Sequence, residues 1–435
     1  MQQVNLGIIG SGTVGGGVFQ ALQRNAPLMA SRLGVRLRVA RVAVRSLKKA
    51  RAVRIPPLLL TTDRQSVLRD PSIHIIGEFI GGTTVARTVV LDAFKHGKSV
   101  VTANKALLSA HGEELFEAAR EHNVNLYYEA SVAGGIPIIK VLREGLIGNR
   151  ITRLYGIVNG TCNYILSRMK SEGGDFASIL SDAQRLGYAE AEPSLDVDGH
   201  DAAHKIGILA SLAHGFWVNP RHIHVEGIRS VTQADIQFAG QLGYTIKLLG
   251  IVKKFDDGTS AVQVSVYPAL VPNTHLLASV NGVFNAILVR GDVVGDTAYY
   301  GRGAGQDATA SAVLSDLADA ALDLKCGVKS RIHPFVPHER DGTVLPIGDV
   351  VSRYYLRLSV IDKPGTLAKI ASILGASKIG ISSVIQPEGH EGESVPLILM
   401  IHDATNADMR RALDKIGRLS AVKAPPAMIR VESFD

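Results

Sequence analysis

The first 62 residues of this chain contain no aspartate or glutamate, against ten lysines and arginines. Other residue types are scarce throughout. Two cysteines in 435 residues, Cys162 and Cys326, cannot build a disulfide framework, and no paired Cys/His spacing points to zinc. A reducing, cytoplasmic setting is the expectation. The chain start lacks a basic leader, and glycines interrupt its apolar segment. No uninterrupted apolar run approaches the roughly 18 residues of a membrane span, so no membrane association is expected. Charged residues make up only 20% of the chain and apolar ones 46%, which excludes a disordered polymer and allows two or three domains with real cores.

The acid-free start raises the question of a nucleic-acid partner. In VRLRVARVAVRS, however, basic and apolar residues are interleaved, as on a strand with one solvated face. The remaining chain carries 37 basic and 40 acidic residues. No nucleic acid is expected, and a phosphorylated cofactor accounts for the asymmetry better.

Such a cofactor has a place to bind. VNLGIIGSGTVGGGVFQAL reads strand, glycine turn, helix, with Gly10, Gly12 and Gly15 in the G-x-G-x-x-G spacing. Gly10 permits the tight turn, Gly12 lets a pyrophosphate approach the backbone, and Gly15 lets helix and strand pack closely. Thr13 and Val14 open the helix, where unpaired N–H groups and the dipole favour phosphate. A second strand, about 36–44, ends in Arg45-Ser46-Leu47-Lys48-Lys49. An acid there would hold a ribose 2′-hydroxyl, whereas Arg45 and Lys48 suit a 2′-phosphate, so NADP is expected over NAD. Solubilising surface charge is the plainer alternative. Strands at 74–80, 99–102 and 125–128 alternate with helices at 85–96 and 106–122, implying a doubly wound parallel sheet with ligands beyond its strand ends. Thr102-Ala103-Asn104-Lys105 lies at one such end. Lys105 at a helix start is a poor local fit for a cation, which favours a role toward the nicotinamide half.

GYAEAEPSLDVDGHDAAHKIGILA places Glu190, Glu192, Asp196, Asp198 and Asp201 within twelve residues, followed by Lys205. Asp201 and Lys205 share one face of a helix beginning near Gly199, while Pro193 marks the preceding acids as loop. An acidic first turn with an ordinary ion pair would look the same. Hydride transfer to a carbonyl leaves an alkoxide, which a tuned lysine can protonate. The surplus carboxylates then suit a substrate bearing an ammonium group.

At this point the chain resembles homoserine dehydrogenases, over nearly its whole length. The stretches that carry the resemblance are GIIGSGTVGGGV, TANKALL, YYEASVAGGIPII, GIVNGTCNYIL, the acidic segment above and GRGAGQDATASAVLSDL. The resemblance implies interconversion of L-aspartate 4-semialdehyde and L-homoserine with NAD(P)H, in the biosynthesis of threonine, methionine and isoleucine. It implies Lys205 as general acid/base, Lys105 as a second lysine at the reacting centre, and Asp201 orienting Lys205 or a water. Glu190 would bind the substrate ammonium and Asp196 support it, with Gly160, Thr161 and Tyr188 also on the substrate side. Glu192 stands where the family more often has aspartate. Gly303, in the last stretch, would lie near the cofactor.

In YYEASVAGGIPII, one carboxylate and several carbonyls in a glycine-rich turn suit a hard cation, although a capped strand end needs no ion. The resemblance implies a monovalent cation, sodium, on Glu129 and the carbonyls of Val132, Gly134 and Ile136. Cys162 could instead be a nucleophile, making the protein an aldehyde dehydrogenase. No histidine is close in sequence, and a packed thiol is favoured. A non-catalytic nucleotide and amino-acid sensor is the rival of another class; Lys105 and Lys205 argue against it.

After a proline-rich linker at 331–352, the periodicity reads βαββαβ, a ferredoxin-like order. Asp362, Pro364, Gly365 and Thr366 resemble the ligand loop of ACT domains, which implies regulation by L-threonine; a ligand-free dimerisation module is the alternative. Residues 388–394, EGHEGES, read as a solvated hairpin loop. The expected organisation is α/β, with an N-terminal Rossmann domain at 1–135 and an α+β substrate and dimerisation domain at 136–300. A segment at 301–330 returns to the nucleotide domain, and a C-terminal ACT domain at 353–435 follows the linker. A homodimer or homotetramer is expected.

Overall fold

The computed structural model describes all residues except 256–257, 388–389, 391 and 435, so part of the 388–394 loop expectation lies outside the described residues. The chain divides into two compact units. The first comprises Met1–Leu154, His204–Arg221 and Asn285–Thr343; the second comprises Tyr155–Ala203, His222–Phe284 and Val344–Asp435.

The first unit is built on six strands: β1 (Gln2–Ile9), β2 (Val35–Ala43), β3 (Leu60–Thr61), β4 (Ile75–Glu78), β5 (Ser99–Thr102) and β6 (Leu126–Tyr127). They are all parallel, in the order β3-β2-β1-β4-β5-β6. The order reverses between β1 and β4, which opens a crevice at their carboxyl ends. Helices α1 (Thr13–Leu33), α2 (Arg64–Arg69), α3 (Thr84–Lys95) and α4 (Lys105–Glu121) make the crossovers. On β2, Val35, Leu37 and Val39 are buried while Arg36 and Arg38 are exposed, so the basic run is a solvated strand face.

Helix Gln306–Lys325 contributes Ala310, Val313, Leu317, Ala320 and Ala321 to the core formed by Leu6, Ile8, Val18, Phe19 and Leu22. Its small residues bring it close to α1. A Cβ on Gly17 would stand 2.4 Å from Gln306, and one on Gly15 only 2.0 Å from the Gly10 carbonyl. The glycine run thus serves both the turn and this packing.

In the second unit, Tyr244–Lys254 and Ala261–Pro272 form a long antiparallel pair. The C-terminal segment follows the expected βαββαβ order: Val351–Ile361, Thr366–Ala376, Ile381–Ile385, Ser394–Thr405, Asn406–Gly417 and Ala427–Val431. Its strands pair antiparallel, with Val351–Ile361 between Ala427–Val431 and Ser394–Thr405, and Ile381–Ile385 on the outer side. Ala427–Val431 also pairs in parallel with Ala261–Pro272, so this segment shares a sheet with the preceding part of the unit. Arg430 locks the junction: its fully buried guanidinium donates to Glu226 and Asn406 and lies 4.4 Å above the Tyr267 ring.

One local expectation is corrected. The acids before Gly199 do not all lie in a loop, because Ser194–Val197 forms a helical turn that carries Asp196. Pro193 sits at its N-cap, where a missing N–H costs nothing. Glu192 accepts from the Ser194 backbone N–H, and Arg229 from a later segment donates to Ser194 and Asp198. Gly199, at φ +88°, breaks the turn before helix His200–His214 begins.

Candidate active site

The turn after β1 is shaped for phosphate. Gly10 takes φ +101° and donates its N–H to Ala43 at 2.9 Å. Gly12 is the N-cap of α1; no side chain caps that end, and the space beside its α-carbon is open. The N–H groups from Thr13 through Gly15 are the orphans that an anion satisfies. Arg45 and Lys48 are exposed in the loop beyond β2, where a 2′-phosphate could meet them from solvent. Arg51, which the sequence reading missed, donates to Ser11 in the glycine turn at 3.2 Å and to the Leu47 carbonyl at 3.3 Å. It ties the basic loop to the phosphate turn.

At the ends of β4 and β5 lies a second missed residue. Glu78 is fully buried, accepting from Ile80 N–H at 2.8 Å and from the Thr102 hydroxyl at 2.7 Å. Burial raises its carboxyl above the usual range, with those hydrogen bonds opposing. Thr102 Oγ1 in turn accepts from Asn104 N–H, and Asn104 both caps α4 and donates to the Gly82 carbonyl. Lys105, half-buried, is the first residue of α4 and is held by this network.

The Glu129–Ile136 loop is buried at each expected cation ligand. Ala133 and Gly134 both take positive φ, 55° and 51°, folding the turn tightly. Glu129 accepts from the N–H groups of Ile139 and Lys140 at 2.9 and 2.8 Å, and burial pushes its carboxyl up to about 7. Asp316 accepts from Glu129 N–H at 2.9 Å; burial first, then the neighbouring Glu129, pushes it well up too. Among the described residues, no cluster of three His, Cys, Asp or Glu is placed to hold a metal. One buried carboxyl amid backbone carbonyls is the donor set of a hard cation bound chiefly by the main chain, so the residues fit such an ion. Gly303 packs on this loop: its carbonyl stands 2.5 Å from where a Gly134 Cβ would be.

In the second unit, the start of helix Gly160–Glu172 meets the acidic segment. Asn159, its N-cap, accepts from Cys162 N–H at 2.8 Å and donates to Asp196 at 2.7 Å and to Asp201 at 2.9 Å. The Thr161 hydroxyl lies within reach of both the Tyr188 carbonyl, 2.8 Å, and Asp196, 3.1 Å. Gly160 has no room for a side chain, since a Cβ would stand 2.9 Å from the Val283 carbonyl. The Tyr188 ring rests 4.9 Å from that of Tyr164, and Glu190 is exposed two residues on. The structure thus gathers Thr161, Tyr188, Asp196 and Asp201, with Glu190 beside them in the chain. Asp201 and, counted in the first unit, Lys205 are both buried and one turn apart on helix His200–His214. Cys162 is buried, and its thiol donates to the Asp196 carbonyl at 3.2 Å, a packing role.

In the C-terminal segment, Gly365 takes φ +84° as N-cap of helix Thr366–Ala376, which no side chain caps. Thr366 turns its hydroxyl back to the Ile361 carbonyl, and Asp362 accepts from Gln386 at 2.9 Å. In the turn built on Pro364, the Thr366 N–H donates to the Lys363 carbonyl at 3.2 Å, and the space beside Gly365 is open.

Comparison with known proteins agrees with this geometry. The family model "Homoserine dehydrogenase, NAD binding domain" matches residues 10–129, and "Homoserine dehydrogenase" matches residues 137–318. The homoserine dehydrogenase of Pseudomonas aeruginosa is 44% identical over the full length of both chains, and that of Synechocystis is 45% identical over 99% of this chain and all of its own. The crystal structure of a homoserine dehydrogenase from Thiobacillus denitrificans superposes with a TM-score of 0.94 at 44% identity, covering 100% of this chain and 99% of that one. A hyperthermophilic archaeal homoserine dehydrogenase in complex with NADPH matches 74% of this chain and 98% of its own, with a TM-score of 0.61 at 28% identity.

Proposed function

The chain belongs to the homoserine dehydrogenase family of NAD(P)-dependent oxidoreductases, and from that premise we propose how its own residues carry the reaction and its regulation. The observation that carries the proposal is the acid pair Asp196 and Asp201, joined through Asn159, with Asp201 one helical turn before Lys205.

A bound nicotinamide supplies or accepts the hydride. Lys205 polarises the carbonyl oxygen of L-aspartate 4-semialdehyde and gives it a proton, then takes that proton back from L-homoserine in reverse. Asp201 orients the lysine. Glu190 and Asp196 receive the substrate ammonium, with Tyr188, Thr161 and the helix-start N–H of Gly160 shaping the polar wall. Lys105, held by the Asn104 cap, acts as the second lysine on the reacting group.

The cofactor preference is NADP, read by Arg45 and Lys48 at the 2′-phosphate, with the phosphates on the turn from Gly10 to Gly15 and Gly303 near the nicotinamide. Glu129 and the carbonyls of Val132, Gly134 and Ile136 hold a monovalent cation, sodium, as a structural brace. The C-terminal segment works as an ACT domain that binds L-threonine through Asp362, Pro364, Gly365 and Thr366. The start of helix Thr366–Ala376, which no side chain caps, suits the effector's carboxylate. The enzyme works as a cytoplasmic homodimer or homotetramer. Among the described residues, no helix is long and apolar enough to cross a membrane.

Initial rates of the full chain on L-homoserine, with NADP or NAD and with or without L-threonine, test these readings together. Faster reduction of NADP, suppressed by threonine and released in Gly365→Val, is the expected result. Equal use of both cofactors would remove the 2′-phosphate reading, and rates indifferent to threonine would remove the effector.

A further inference from the structure

Asn159 joins two members of the acidic cluster. Its Nδ2 donates to Asp196 at 2.7 Å and to Asp201 at 2.9 Å, so one amide nitrogen stands between two carboxylates 37 and 42 residues away in the chain. The orientation of the amide is fixed independently. Its Oδ1 accepts the backbone N–H of Cys162 at 2.8 Å, which leaves the NH2 group facing the acids. Asn159 is itself only 5% exposed, and Asp201 4%. Two carboxylates so close in a region sheltered from water repel each other unless hydrogen-bond donors lie between them. An NH2 group has two hydrogens, one for each acid.

We infer that Asn159 is a positioning residue for the reaction: its amide clamps Asp196 and Asp201 in one fixed relation and thereby sets the direction of Lys205, one turn beyond Asp201. The inference rests on the reading of Lys205 and Asp201 given above. The clamp is reinforced by the residues that follow Asn159. Thr161 Oγ1 lies 3.1 Å from the second oxygen of Asp196, and the Cys162 thiol donates to the Asp196 carbonyl at 3.2 Å. The start of helix Gly160–Glu172 therefore grips Asp196 by its side chain and its backbone, while Asn159 also reaches Asp201. Asn159 touches neither substrate nor cofactor in this account. Both of its polar atoms are taken by protein groups, which removes it from the wall that would donate to substrate.

A plainer role is helix capping, and the two can be separated. Aspartate and serine cap helices about as well as asparagine. Asn159→Ser keeps an oxygen for the Cys162 N–H but cannot reach both acids. Asn159→Asp keeps the cap and turns the bridge from donor to acceptor. Both variants should be assayed for kcat and KM on L-homoserine across pH, with NADP affinity followed by fluorescence and unfolding by circular dichroism. The expected result is a loss of kcat of about tenfold to a hundredfold in both, the cost of a misplaced reacting group, with NADP affinity unchanged. In Asn159→Asp the loss should also depend on pH: a proton shared among three carboxylates restores a donor, so kcat relative to wild type recovers as pH falls. A purely structural cap would give a loss that does not change with pH.

Folded variants with wild-type kcat, KM and pH profile would overturn the inference. Lys205→Ala, assayed in parallel, separates the two levels: full activity in that variant would sink the underlying reading, whereas loss there with wild-type Asn159 variants would sink the clamp alone.

Discussion

The hydroxyl of Thr102 donates to the carboxyl of Glu78 across 2.7 Å, joining the carboxyl ends of two neighbouring parallel strands inside the first unit. The same carboxyl accepts from Ile80, and Thr102 accepts from Asn104, so the loops after both strands hang from one buried acid. Glu78→Leu strands the Thr102 hydroxyl and the Ile80 N–H without an acceptor, a loss of about 1–3 kcal/mol for each orphaned group. Urea unfolding of Glu78→Leu, Thr102→Val and the double variant should reveal coupling between the two positions. Strict additivity would mean that the bond holds nothing in place.

The basic loop after β2 should read the ribose. Arg45→Asp is expected to lower kcat/KM for NADP by about tenfold or more, the weight of a charge-assisted phosphate contact, with much less effect on NAD. Arg51→Ala should weaken both cofactors, because Arg51 braces Ser11 in the shared phosphate turn. Steady-state rates with each cofactor check both. Equal losses in Arg45→Asp would take the 2′-phosphate away from that residue.

Lys247 carries a pH signature unrelated to the reaction. It is 1% exposed, faces Asn163 Oδ1 at 3.1 Å, Asn281 Oδ1 at 3.2 Å and the Val280 carbonyl, and burial pulls its ammonium down to about 7 from 10.5. Between those values the unfolded chain holds a proton that the folded chain has released. Stability from this group therefore rises with pH across that window, and is lost as pH falls through 7. Relative to Lys247→Met, the wild type should gain stability between pH 7 and about pH 9.5 by urea unfolding. A difference that is flat or falls with pH would contradict the buried neutral lysine.

The Glu129 loop predicts an ion effect. Thermal unfolding in sodium chloride should occur several degrees above that in tetramethylammonium chloride at equal ionic strength, because a ligand of the folded state alone raises its stability. Glu129→Gln should abolish the difference. The same melting temperature in both salts would leave the loop as a strand end capped onto the Ile139 and Lys140 N–H groups.

What could be read in advance follows the range of the interactions. The glycine turn at Gly10–Gly15 and the strand–helix alternation are local patterns, and both stand in the structure as expected, as does the βαββαβ order after Val351. The helical turn at Ser194–Val197 was misread because a proline signals a break, although one at the N-cap starts a helix. Glu78 gave no signal beyond an acid inside the apolar stretch HIIGEFI. Asn159 carries no local sign of its role, since its partners lie 37 and 42 residues away in the chain. Arg51 was passed over beside Arg45 and Lys48, because charge alone does not say which basic residue turns back to Ser11.

The most direct test of the account is the turnover of L-homoserine with NADP by Lys205→Ala, measured beside its NADP affinity. The account predicts a fall in kcat of about a hundredfold or more, the usual weight of a positioned acid/base group, with cofactor binding unchanged. Turnover near that of the wild type would contradict it, and would place the proton transfer on another residue.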